Sequence, residues 1–176
     1  VGKLMLYLFG KLFGFHGQPG LPIIGEDFAN NTYIYLRLLP IICGSLIPSV
    51  VFLLARRFGM SILVSLLAGL AIIFENSLVT ESRFVLMDSS LILFGFLGLL
   101  IYLYSLNSKR EILLKCFSGI FLSLSLGIKW TGLSFLGIVG LMEIYNIIKN
   151  KPGVKKIGKS ILFFVIIPII IYIIPF

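Results

Sequence analysis

The sequence predicts a polytopic all-α membrane protein, on three observations. Mean hydropathy is +1.10, and 59% of the 176 residues are hydrophobic against 12% charged. The apolar residues gather into long runs, each close to the ~20 residues that span a bilayer as a helix. The basic residues, finally, collect on one side of those runs.

Six spans are predicted, at about Leu38–Ala55, Phe58–Phe74, Ser89–Leu106, Ile112–Ile128, Trp130–Ile148 and Ser160–Phe176. Before them, "VGKLMLYLFGKLFG" places Lys3, Tyr7, Gly10, Lys11 and Gly14 on one helical face, with Leu, Met and Phe on the others. That pattern predicts an interfacial helix over residues 1–14; the end of a further span is the alternative, which two lysines oppose. Residues 15–36 are rich in Gly and Pro and are expected to form an extracytosolic loop. Within it His16, the only histidine, lacks a second metal ligand at suitable spacing and is read as a loop residue. The segment 150–159 reads as a basic loop. The chain opens without Met and stops inside its last apolar run, so it is expected to be a fragment.

Arg56, Arg57, Lys109, Arg110, Lys115, Lys149, Lys151, Lys155, Lys156 and Lys159 all fall on one side. Against Glu111 and Glu143 they give that side +8, the whole formal net charge. By the positive-inside rule it faces the cytosol. The sequence pI of 9.7 is thus a topology signal, and without an aromatic-interleaved basic patch it does not indicate nucleic acid. Cys43 and Cys116 fall at different depths, which excludes a disulfide between them.

The opposite side carries Lys3, Lys11, Arg37, Arg83 and Lys129 against Glu26, Asp27, Glu75, Glu81 and Asp88. Such a balance suits a site that binds an anion with some groups and moves a proton with others. Four of these ten charges lie in "ENSLVTESRFVLMDSS", the hairpin between the second and third spans. Asp88 or Ser89 is placed to cap the third span, and a cap plus a solvated turn would account for Asp88 and Glu81. Arg37 and Lys129 stand at span ends, where each is either a snorkelling anchor or a ligand for phosphate.

"ENSLVTESRFVLMDS" closely resembles the block E-N-x-x-V/I-T-Q/E-S-R of eukaryotic protein O-mannosyltransferases, glycosyltransferase family 39. "VGKLMLYLFGKLFGFHG" is similar to the stretch after that family's His-Pro-Pro, "TYIYLRLLPIICG" to its P-Y-x-x-M/L-R-x-x-P, and "SLSLGIKWTGL" to its S-x-K-aromatic-x-G-L. The chain departs from the family at Phe15-His16-Gly17, where Tyr-Asp-Gly is usual, and at Ile24–Phe28.

The resemblance implies a C-type glycosyltransferase helix bundle, here a partial transmembrane domain over residues 1–176, in the endoplasmic reticulum membrane with a lumenal site. It implies mannose transfer, with inversion, from dolichyl phosphate mannose to Ser/Thr hydroxyls of secretory proteins, by a homo- or heterodimer; the sequence itself requires no metal or other cofactor. The resemblance places Arg37 on an arginine the family requires; Arg83 and Lys129 share its side by topology and join it as expected donor-phosphate ligands, with Glu75 and Asp88 read as carboxylates that orient Arg83 or Lys129 because lone charges there would be costly. The general base is expected in an Asp-Glu pair upstream of Val1; Glu26 and Asp27 lie outside the expected context for it. The rival readings are a non-catalytic partner subunit, or a secondary transporter with Arg83 and Asp88 as an ion-coupling pair. The latter lacks repeat symmetry.

Overall fold

A computed structural model describes residues 1–15 and 33–173. The described elements are α1 (Gly2–Leu12), α2 (Tyr33–Arg57), α3 (Ile62–Ile73), α4 (Asn76–Arg83), α5 (Asp88–Ser105), α6 (Glu111–Ile128), a 3-10 turn (Trp130–Gly132), α7 (Leu133–Asn150), α8 (Val154–Ile161), a π-helical turn (Leu162–Ile166) and α9 (Ile167–Ile173). No strand occurs among the described residues. His16, Glu26, Asp27 and most of the expected loop over 15–36 lie outside them.

Side-chain contacts fix the up-and-down order. Arg57 at the end of α2 donates to the carbonyl of Leu103 near the end of α5 (Nη2–O 2.8 Å). Asp88 at the start of α5 meets Lys129 at the end of α6. Lys156 of α8 meets Glu111 at the start of α6, and Trp130 packs edge-on against Tyr172 of α9. Helix ends therefore sort into a basic end, which holds Arg57, Glu111 and Lys156, and an Arg37 end, which holds Asp88, Lys129 and Trp130.

Among the described residues, five helical segments are long and apolar enough to cross a membrane: Ile34–Arg57, Asp88–Ser105, Glu111–Ile128, Trp130–Asn150 and Val154–Ile173. The span predicted at Phe58–Phe74 corresponds to α3, which meets α4 at 52°; counted together as one broken span, the pair makes a sixth. With 12 residues, α3 reaches only about 18 Å at 1.5 Å per residue. It begins at Ser61, whose Oγ accepts from the Val64 amide (3.3 Å), and gives way where Glu75 caps the next helix. The hairpin after it is thus largely helical. The expected loop over 150–159 shrinks to 151–153, because Lys151 ends α7 in the left-handed region (φ 43°) and a helix resumes at Val154.

The core runs between α2, α5, α6 and α7, with Ile47, Tyr102, Leu122 and Val139 fully buried. Hydroxyls tie α6 to α5: Ser118 Oγ donates to the Gly98 carbonyl (2.7 Å) and Ser125 Oγ to that of Leu91 (2.9 Å). Such bonds hold helices together where lipid gives no hydrophobic drive between them. α1 lies across the Arg37 end, with Gly2 against Ile128 of α6 and Gly10 against Leu36 of α2, and Lys3 and Lys11 exposed.

Candidate functional site

The Arg37 end is assembled from the starts of α2 and α5, the end of α6, and all of α4. Gly44 makes the assembly possible: a Cβ there would come within 2.7 Å of Ser82 Cβ, so only glycine lets α4 lie directly on α2. Arg37 precedes Gly44 by two helical turns on the same face, about 10 Å nearer the open end. Arg83 follows Ser82 directly. The sequence block around Arg37 and the block around Arg83 are therefore joined at one glycine contact.

Lys129 ends α6 in an extended conformation, which turns its side chain onto Asp88, where Nζ lies 2.5 Å from Oδ1. The pair is open to solvent, Lys129 being 52% exposed at its side chain. Asp88 does not cap α5, as had been expected: the capping position is Met87, without a side-chain bond, and the carboxylate goes to the lysine instead. The expected alliance between Asp88 and Lys129 is present.

Glu75 departs from expectation. Rather than orienting Arg83 or Lys129, its carboxylate accepts from the backbone amides of Ser77 (3.1 Å) and Leu78 (2.5 Å) at the start of α4. The first turn of a helix presents unpaired N–H groups, and a carboxylate satisfies them better than it would a distant cation. Arg83 is exposed and has no ion pair among the described residues. Arg37 is half-buried with its Nε fully enclosed. The Ser89 hydroxyl, wholly buried beside Gly44, has no hydrogen-bond partner among the described residues.

Five cations, Lys3, Lys11, Arg37, Arg83 and Lys129, thus face three carboxylates at this end among the described residues. One of those carboxylates caps a helix and another pairs with Lys129. Glu26 and Asp27, of the same side in the sequence, lie outside the described residues; exposed Arg83 and Lys129 can meet an anion at the membrane surface, the guanidinium by forking onto two oxygens.

A second polar cluster, at the basic end, was not anticipated. Glu143 of α7 is buried and accepts from Lys115 Nζ of α6 (2.7 Å), from Ser160 Oγ of α8 (2.5 Å) and from Tyr102 Oη of α5 (2.9 Å). Lys115 also holds Glu111 (2.9 Å), which in turn holds Lys156 (3.2 Å). A cavity of about 230 Å³ lies beside Glu143 and Lys115. The Glu111/Lys115 spacing of four was the available signal. Glu143 gave none, because position alone assigned it to the charged flank of a span.

Comparison with known proteins follows this geometry. The family model of "Dolichyl-phosphate-mannose-protein mannosyltransferase" matches residues 1–176. The chain is 29% identical to mouse "Protein O-mannosyl-transferase 1" over 99% of this chain and 26% of the mouse protein. It is 34% identical to Drosophila melanogaster "Protein O-mannosyltransferase 1" over 78% of this chain and 16% of that one. A mannosyltransferase of Schizosaccharomyces pombe is 28% identical over 86% of this chain and 21% of its own length. The chain thus spans about a quarter or less of these relatives. Its fold matches the S. cerevisiae protein O-mannosyltransferase Pmt1-Pmt2 complex bound to the sugar donor, with a TM-score of 0.85 at 25% identity, over 98% of this chain and 25% of that one. The chain belongs to the dolichyl-phosphate-mannose–protein mannosyltransferase family.

Proposed function

We propose that these residues form part of the membrane frame of an enzyme that moves mannose from dolichyl phosphate mannose to Ser/Thr hydroxyls of secretory proteins. The basic end faces the cytosol and the Arg37 end the lumen of the endoplasmic reticulum, in keeping with the ten basic residues that share one side. The observation that supports the reading is the gathering of Arg37, Arg83 and Lys129, from three sequence blocks that resemble the family, at one end of the bundle.

In this reading the acceptor oxygen attacks the anomeric carbon, the bond from that carbon to the phosphate oxygen breaks, and dolichyl phosphate leaves with the electron pair. The hydroxyl proton passes to a carboxylate outside these residues, and the sugar inverts. Arg37 and Arg83 take the phosphate oxygens, where charge grows as the bond breaks. Lys129, poised by Asp88, adds a third cation. Its ion pair is exposed enough to re-form around an incoming phosphate. No metal or other cofactor enters the scheme. Pairing with a second family member accords with the two-subunit structure the chain resembles, and a non-catalytic partner role within such a pair is the alternative.

In a full-length enzyme carrying these residues, Arg37→Ala is expected to cut mannosyl transfer on the order of a hundredfold, because it removes a charge-assisted contact to the leaving group. Membrane insertion is expected to be normal. Unchanged transfer by a properly inserted variant would leave Arg37 as a membrane anchor only.

A further inference from the structure

At the basic end, the loop joining α5 to α6 borders a groove of about 660 Å³ that the mannosyl-transfer reading does not use. Its rim carries Lys109, Arg110 and Lys156, and its floor is formed by Leu113, Cys116 and Phe163. The one rim carboxylate, Glu111, is already engaged by Lys115 (2.9 Å) and Lys156 (3.2 Å). Lys109 and Arg110 are exposed and hold no ion pair among the described residues. The loop that presents them is braced by the Arg110 amide, which donates to Ser108 Oγ (3.1 Å).

The groove also has a direction. Ile112 and Leu113 are 40% and 50% exposed on the first turn of α6, a helix apolar enough to cross the bilayer. Its apolar floor therefore continues toward hydrocarbon, while its cations sit at headgroup level. A neighbouring groove of about 500 Å³ shares Lys109 and Arg110. Its further cation, Arg57, is committed to the Leu103 carbonyl and to the Tyr104 ring.

From charge and shape together we infer that the groove between α6 and α8 holds an anionic phospholipid of the leaflet at the basic end. Lys109 and Arg110 bind the headgroup phosphate, and an acyl chain lies along Leu113 and Cys116. Basic pockets between spanning helices on this side of a membrane suit such headgroups. The binding does not depend on the mannosyl-transfer reading.

The test reconstitutes the full chain in phosphatidylcholine vesicles and measures the motionally restricted fraction of spin-labelled phosphatidylserine against spin-labelled phosphatidylcholine. The unaltered chain is expected to prefer the anionic label by roughly fivefold or more, from about a factor of five per well-placed cation. Lys109→Gln with Arg110→Gln should bring the preference to within about twofold. Both positions are exposed, so the fold should survive, which circular dichroism checks. A control, Lys151→Gln with Lys155→Gln, removes equal charge from the same end and should leave the preference intact. Equal loss in that control would reduce the effect to general surface charge and overturn the site. Displacement of the label by millimolar inorganic phosphate would overturn the lipid in favour of a free anion.

Discussion

The buried Glu143 cluster at the basic end and the Lys129–Asp88 pair at the Arg37 end handle charge in opposite ways. At the basic end, Glu143 is buried and its two oxygens between them accept from side chains of three other helices, Oε1 from Lys115 and Ser160 and Oε2 from Tyr102. At the Arg37 end the Lys129–Asp88 ion pair is half open to solvent, and Arg83 has no ionic partner among the described residues. Charges that are buried and fully bonded have no bonding capacity left for a ligand, so their role is to hold helices in register. Charges left exposed beside an unsatisfied serine and a bent helix have capacity to spare. The difference separates a cluster built to hold helices together from one open to a ligand.

The largest effect that can break this contrast is at Glu143. Glu143→Ala leaves Lys115 buried with one carboxylate fewer, and loss of one partner of a buried pair costs about 3–5 kcal/mol. The adjoining cavity admits water, which favours the lower figure. Thermal unfolding in detergent should show a drop in Tm of several degrees, while transfer per folded molecule stays near normal. A stable Glu143→Ala variant that has lost transfer would move the site to the wrong end.

Gly44→Leu comes next. The added side chain must displace Ser82 and, with it, the helix that carries Arg83. Overpacking of this kind costs about 1–3 kcal/mol, and transfer should fall more than stability because α4 moves as a unit. Equal losses in both would mean that α4 only packs. The smallest effect is expected at Glu75→Ala, about 1 kcal/mol for a lost helix cap, read as a slightly lowered Tm with activity reduced in proportion.

How far the sequence revealed each end follows from the kind of contact involved. Apolar runs located the spans because burial in lipid is a property of whole segments, and α5, α6 and α7 appear close to where they were expected. The bend between α3 and α4 was hidden, because "ENSLVTESR" is polar enough to read as a turn and only the cap at Glu75 shows that it is a helix. Asp88 was legible as a partner for either Arg83 or Lys129. The choice between them depends on α5 and α6 placing residues 88 and 129 at one height, which no local pattern encodes. The Glu143 cluster was illegible for the same reason, since its members come from four helices.

The contrast between the ends is tested most directly at Lys129, in a full-length enzyme carrying these residues. Lys129→Gln removes the exposed cation but keeps a side chain able to hydrogen bond Asp88. Exposed ion pairs contribute about 0–1 kcal/mol, so Tm should be almost unchanged. Loss of one cation to a departing phosphate should nevertheless lower mannosyl transfer by about tenfold to a hundredfold. Transfer and Tm measured on the same preparation decide the matter. Reduced transfer at constant Tm is the result expected of a functional end, whereas a lowered Tm with unchanged transfer per folded molecule would make Lys129 part of the frame and contradict the assignment.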